Sequence, residues 1–517
     1  MTDSALVNAA RVLAELGRED SARTLLARMA PHPKARDELE RLADGSGPIS
    51  ALCRETLLIH APDRKASEAE WNAFAQASRG RPMSSEMFQA RLDRGGRNSV
   101  APGNGPDVCY ILGISLPQDV TGYSMRTQSL VRAWQEVGLQ VHCLTRPGFP
   151  WHRGLDGNPV SEVVDGITYH RCGGAEHRIP RDLASFIAAE EELTRKLAEI
   201  RPKVVMAASN HGTAIPACLA ARRHGLPFAY DVRGFWEFSR AAKEPGWKGS
   251  PAYRTALDLE GAVMREADLI LTLNAPMREE LLRRGVRADR IHIVPNAADP
   301  ERFSPRPRNE ALAKRAGLVP GLPVIGYIGT FSAYEGLDDL LHAASILAAR
   351  GHEFHLLLVG DDPCPDPALR DALHRQAAEA GLGARLITPG RISAQVAPDW
   401  YSLIDICPMP RKNSDVTALV SPLKPLEAMA MEKPVIVPDL PPLVEIVTHE
   451  RTGLVYPAGD IVALADSIER LLESPGLGGR LGAAARQWVM AERSWTAVAE
   501  PSANALRELA VNPTKAA

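Results

Sequence analysis

Apolar positions change their period near residue 107. Over residues 4–30 they recur at helical spacing on either side of Leu16-Gly17-Arg18-Glu19, which predicts two helices packed as a hairpin. Weaker helical patterning continues to about residue 92, without a repeat of fixed period. The stretch GGRNSVAPGNGPD, residues 95–107, is a linker by composition. Beyond it, short apolar runs alternate with helical text. VCYILGIS (108–115), LQVHCLTRP, KVVMAAS (203–209), PFAYDV (227–232), DLILTLN (268–274) and IHIVPN (291–296) read as buried strands. The series restarts with PVIGYIGT (323–330), HEFHLLLVGDD (352–362), ARLITPG (384–390), DICPMP (405–410) and PVIVPD (434–439).

Alternation of this kind predicts parallel, doubly wound α/β sheets, and two series predict two Rossmann-like units. The expected division is a helical region over 1–94, a linker over 95–107, one α/β domain over 108–305, a second over 306–495, and a helix and tail over 496–517. Open sheets bind ligands at the carboxyl ends of their strands, so the site is expected in a cleft between the units.

Composition narrows the function. The 517 residues carry 60 Lys and Arg against 63 Asp and Glu, a net charge of -3, which gives no electrostatic footprint for nucleic acid. Seven cysteines (53, 109, 143, 172, 218, 364 and 407) are scattered without a Cys-x-x-Cys pair, so neither a zinc site nor a disulfide framework is expected. A reducing compartment follows. MTDSALVNAARVLAEL has no basic leader region, and no apolar run approaches the roughly 18 residues of a spanning helix. The expected location is the cytoplasm or the inner face of the membrane. The N-terminal helices are the candidate for a protein or peripheral membrane contact.

Chemistry concentrates at strand ends. In SPLKPLEAMAMEKPVI, residues 421–436, Lys424 and Glu427 lie three apart at the start of a helix, on one face and beside an anion-attracting N-terminus. Such a pair is either a surface salt bridge or half of a clamp on phosphate and sugar; AMAM beside it is core. In TGYSMRT, Gly122 follows the first strand, where it either lets backbone approach a ligand or is an ordinary turn glycine. Tyr123, Ser124 and Arg126 open the next helix, where they meet an acceptor or diphosphate, or where Ser124 is only a cap. Arg233, beside Gly234 and Trp236, is a phosphate or acceptor ligand or half of a buried pair with Glu237. The absence of G-x-G-x-x-G argues against a dinucleotide oxidoreductase. Gly360, Asp361 and Asp362 read as a turn rather than a metal site, because adjacent side chains point apart.

TGYSMRT, AYDVRGFWE, EADLILTLNAPMREEL, IVPNAADPERF, IGYIGTFSAYEGLDDLL, LLLVGDDP, PGRISAQVAPDWYSLIDICPMPRK, VSPLKPLEAMAMEKPVIVPD and TGLVYPAGD follow one another in an order that resembles the family-4 glycosyltransferases. The likeness covers about residues 107–500 and is nearest to bacterial surface-polysaccharide and exopolysaccharide transferases with a PLKPLEAMA motif. It implies the GT-B fold and a retaining, metal-independent transfer from a nucleotide-sugar, which is a substrate, so no cofactor is expected. The acceptor would be a saccharide or lipid-linked.

The resemblance implies that Glu427 holds the ribose hydroxyls, with Ser421, Gly329, Thr330 and Gly360 around the donor. It also implies that His211, in ASNHG, stands near the reacting sugar, against the alternative that it is a structural histidine. Relatives carry a first glutamate where this chain has Leu419, and an arginine and a lysine where it has Thr330 and Glu335. The missing positive charge is therefore assigned to Lys424 and Arg391, with Arg411 behind them. The alternatives are a catalytically silent scaffold of the same fold and another nucleotide-sugar enzyme, such as an epimerase or a phosphorylase-like protein.

Overall fold

The computed structural model describes residues 3–45, 47–61, 67–77, 80–94, 104–154, 159–174, 179–361 and 368–511. Asp362, Cys364, most of the expected linker and the last residues of the expected tail lie outside these. The first lobe is an eight-stranded sheet of β1 (Val108–Leu112), β2 (Val141–Thr145), β3 (Ser161–Val164), β4 (Ile167–His170), β5 (Val204–Ala208), β6 (Phe228–Val232), β7 (Leu269–Thr272) and β8 (Ile291–Ile293). Its order is β3-β4-β2-β1-β5-β6-β7-β8, parallel except where β3 runs antiparallel to β4. Every residue of β1, β5, β6 and β7 is buried. Helices on both faces leave no solvent side, so these strands read as mainly apolar runs, broken only by the buried Asp231 in β6 and Thr272 at the end of β7.

The second lobe places β9 (Val324–Ile328), β10 (His355–Val359) and β11 (Leu386–Gly390) in the order β11-β10-β9, and β12 (Cys407–Pro408), β13 (Val435–Pro438) and β14 (Leu454–Tyr456) in the order β12-β13-β14. A backbone bond from Gly326 N to Ile406 O, 2.9 Å, joins the two halves between β9 and β12. The helix Trp495–Val511 returns to the first lobe, where Trp495, Val498 and Leu506 share a core with Val108 and Tyr110. Trp134 Nε1 donates to Ser502 Oγ at 2.8 Å. The last helix thus ties the first lobe to the end of the chain.

The N-terminal region divides differently from the expected boundary at 94. Helices Asp3–Glu15, Glu19–Met29, Pro33–Ala43 and Pro48–His60 enclose their own core of residues such as Ala10, Leu26, Leu39 and Leu57. Helices Glu68–Ala77 and Ser85–Arg94 instead bury Trp71, Met87 and Phe88 in the first lobe, against Leu193 and Cys218. Arg91 pairs there with buried Glu190 on helix Leu183–Ile200, and Glu68 with Arg223 at 2.7 Å. The apolar faces of these two helices are part of the α/β core. Among the described residues, no helix is long and apolar enough to cross a membrane.

Candidate active site

The carboxyl ends of β1, β6, β7 and β8 meet the segment that precedes helix Lys424–Ala430, and residues 415–423 reach across to the first lobe. A Cβ on Gly234 would stand 3.6 Å from Val420, and one on Gly122 would stand 3.9 Å from Leu423. Asn274 Nδ2 donates to Ser421 Oγ at 2.6 Å and to Leu419 O at 2.8 Å, while Asn296 Nδ2 donates to Ser421 O at 2.7 Å. Lys248 and Asp415 pair across the lobes at 2.5 Å. Ser421 is buried and holds the lobes together.

Lys424 does not face Glu427. Its Nζ donates to Tyr327 Oη at 2.5 Å, lies 3.1 Å from Glu335 Oε2 and stands over the Tyr327 ring. Tyr327 Oη in turn donates to Glu335 at 3.1 Å. Arg411, also buried, approaches the other Glu335 oxygen at 3.6 Å and donates to Val420 O at 2.9 Å. Its buried Nε finds no hydrogen-bond partner among the described residues. Burial pushes the Glu335 carboxyl up, but Lys424 and Arg411 outweigh this and hold it below its ordinary range. Burial pulls the Lys424 ammonium down, opposed by Glu335.

Two glycines make room for this arrangement. A Cβ at Gly329 would sit 2.1 Å from Lys424 Cε, and one at Gly360, where φ is +145°, would sit 1.8 Å from Gly329 O. The lysine stem therefore lies across bare backbone at the end of β9. Glu427, one turn along the helix, accepts from Tyr401 Oη at 3.3 Å. Burial pushes its carboxyl up, with Arg302 the chief opposing charge. Thr330 is exposed and contributes its carbonyl to Tyr327 Oη at 3.2 Å. Arg391 is exposed at the end of β11. Arg411, ranked behind Arg391 on sequence, is the arginine that shares the Lys424 cluster.

The first lobe corrects several expectations. Arg233 is no open ligand: it pairs with Asp231 at 2.6 Å, donates to Tyr123 O and Thr127 Oγ1 at 2.8 Å each, and also bonds Tyr110 Oη. Its acid is thus Asp231, whereas Glu237 pairs with Arg284 at 2.6 Å. Arg126 is buried too, donating to Val294 O at 2.8 Å, Asn296 Oδ1 at 2.9 Å and Pro295 O at 3.2 Å. Burial brings its pKa down to about 10, against the pull of Asp231. Ser124 is a cap: its hydroxyl accepts from Thr121 N at 2.9 Å and donates to Thr121 O at 3.1 Å. Gly122 is the exposed first residue of helix Gly122–Glu136, and the Tyr123 ring is partly exposed beside Gly234.

His211 opens helix His211–Arg223 after β5, with its backbone N 2.7 Å and its Nδ1 3.2 Å from Glu260 Oε1. The Trp236 ring meets it edge-on, 6.2 Å between centroids. Glu260 and Tyr327 were not singled out from sequence. Glu260 does leave a trace: it interrupts the buried side of helix Pro251–Glu266, among Ala256, Leu259 and Val263. Among the described residues, His352, Glu469 and Glu473 could together hold a metal ion, but His352 precedes β10, at the amino end of the strand and away from the carboxyl ends.

Two Rossmann-like lobes with facing strand ends and a cation cluster between them define a GT-B protein. The same fold is seen in sucrose-phosphate synthase of Thermosynechococcus elongatus, with a TM-score of 0.64 and 23% identity over 78% of this chain and 98% of that one. Residues 121–297 match the glycosyl transferase 4-like domain, and residues 322–474 match the group 1 glycosyl transferases. A D-inositol 3-phosphate glycosyltransferase of Nocardia farcinica is 30% identical over 325 residues, 61% of this chain and 70% of that protein. An alpha-D-kanosaminyltransferase of Streptomyces kanamyceticus is 27% identical over 254 residues, 48% of this chain and 63% of that protein's length. The chain belongs to the group 1 glycosyl transferase family.

Proposed function

We propose that this protein transfers a sugar from a nucleotide-sugar donor to a saccharide or lipid-linked acceptor, with retention at the anomeric carbon and without a metal, in the synthesis of a cell-surface polysaccharide or glycoconjugate. The observation that carries this reading is the ammonium of Lys424 laid over Gly329, with Arg411 beside it and Glu427 one turn away. The acceptor oxygen bonds to the anomeric carbon as the bond from that carbon to the β-phosphate oxygen breaks. The acceptor hydroxyl proton leaves with the phosphate. Negative charge then grows on the nucleoside diphosphate, and Lys424 and Arg411 are fixed cations directed at it.

Glu427 accepts the ribose hydroxyls, a role that suits an ionised carboxylate. Glu335 stands where relatives carry a lysine. In this reading it orients Lys424 before the donor arrives, so that the cation comes from the helix instead of the loop after β9. His211, beside Trp236, faces the sugar from the first lobe. Tyr123 and Gly122 line the acceptor side.

A catalytically silent protein of the same fold has Leu419 and Glu335 in its favour. A screen of nucleotide-sugars for nucleotide release, with and without acceptors, separates the readings. Transfer predicts release from one class of donor, stimulated by an acceptor. Donor binding without release, in a folded protein, would support the silent reading, and an epimerised donor without release would mark an epimerase.

A further inference from the structure

Glu260 lies on helix Pro251–Glu266 with its side chain 2% exposed, and both its oxygens are used. Oε1 accepts from the His211 backbone N at 2.7 Å and faces His211 Nδ1 at 3.2 Å, while Oε2 accepts from Tyr230 Oη at 2.8 Å. Burial pushes this carboxyl up, but the hydrogen bonds and charge attraction of His211, helped by the Tyr230 hydroxyl, prevail and hold it below the ordinary range. Neighbouring Glu237 is pushed up by burial and by the Glu260 charge, and is answered by Arg284. An ionised carboxylate only accepts hydrogen bonds, so the imidazole nitrogen facing it must carry hydrogen.

We propose that Glu260 is a positioning residue for His211, fixing the tautomer with hydrogen on Nδ1 and turning Nε2 away from the helix at the carboxyl end of β5. The use of that nitrogen toward the donor sugar rests on the glycosyltransfer reading. Capping alone does not account for the contact with the ring. The N-terminus of helix His211–Arg223 already has Asn210, whose Oδ1 accepts from Gly212 N at 3.0 Å. Trp236 packs edge-on against a second side of the imidazole, 6.2 Å between ring centroids.

The test is a double-mutant cycle of Glu260→Gln and His211→Ala, read by donor-saturation kinetics and by thermal unfolding. Glu260→Gln is expected to lower kcat by about tenfold to a hundredfold, the scale of a misplaced contact, with donor KM within about twofold. It should lower kcat no further once His211 is alanine. Equal losses in both backgrounds would overturn the proposal. An arm independent of turnover uses ¹⁵N-histidine labelling, with the His211→Ala spectrum giving the assignment. Wherever the ring is neutral, the wild type should show a pyrrole-type Nδ1 and a pyridine-type Nε2, and Glu260→Gln should mix the tautomers. The opposite tautomer in the wild type would refute positioning. If no donor is turned over, the function fails while this arm still decides the role of Glu260.

Discussion

Arg233 in the first lobe and Lys424 in the second both stand beside a glycine near the carboxyl end of a strand, yet they serve different ends. The Arg233 side chain is 3% exposed and is consumed by Asp231, Tyr123, Thr127 and Tyr110, all of its own lobe. Lys424 is 19% exposed and is held by Glu335 and Tyr327 with its stem on Gly329. The difference lies in where the acid comes from. Asp231 is two residues before Arg233 in the same extended run, so the two side chains fall on one side and pair as the strand forms. Glu335 reaches Lys424 from a separate loop, which leaves an edge of the cation toward the cleft. Here the acid two positions before Arg233 makes that strand-end base a structural one.

The contrast can be sharpened from the largest effect downward. Truncation comes first. A chain starting near residue 61 should fold, because the first four helices have their own core and, among the described residues, give the core of the first lobe only Leu58 and Ile59. A chain starting at residue 95 loses Trp71 and Phe88 from the first lobe, at about 3–5 kcal/mol for each large aromatic, and should not be recovered as folded protein. Circular dichroism and size-exclusion chromatography compare the two, and a well-folded chain from residue 95 would restore the boundary at 94. Next, Arg233→Ala strands Asp231 in the core and should cost about 3–5 kcal/mol of stability in denaturant titrations. If it instead leaves stability intact and abolishes turnover, Arg233 is a ligand after all.

The smallest effect is a pH dependence. Burial raises the Glu427 pKa, so protonation on the acid side begins at a higher pH than for an ordinary carboxylate. Because only the ionised form accepts both ribose hydroxyls, donor KM should rise as pH falls through that value. Glu427→Gln should have a high KM that no longer follows pH. A KM for the wild type that stays flat toward acid would place the ribose elsewhere.

Much of the fold is legible in the residues because doubly buried strands such as VCYIL and VVMAA are continuous apolar runs. The β3–β4 hairpin escaped because its strands are four residues long, β3 has no buried position and only alternate positions of β4 are buried, and β14 is only three residues long. The boundary at 94 failed for another reason. An apolar helix face announces burial but not its partner, and the partner of Trp71 and Phe88 is the first lobe. In the site, Lys424 and Glu427 stood out through their motif, whereas Tyr327, 97 residues from Lys424, and Glu260, 49 residues from His211, become neighbours only through the fold.

Donor-saturation kinetics on Lys424→Ala and Glu427→Ala, with unfolding curves to confirm that both variants fold, test the central claim directly. A clamp on the donor requires the two to differ in kind. Lys424→Ala should lose about 2.7–4 kcal/mol of transition-state stabilisation, seen as a fall in kcat, because the diphosphate charge it meets grows as the bond breaks. Glu427→Ala should mainly raise donor KM, because the ribose is held equally before and during reaction. Near-wild-type kinetics in both folded variants would contradict the account, returning the two residues to structural roles and leaving the second lobe without its donor site.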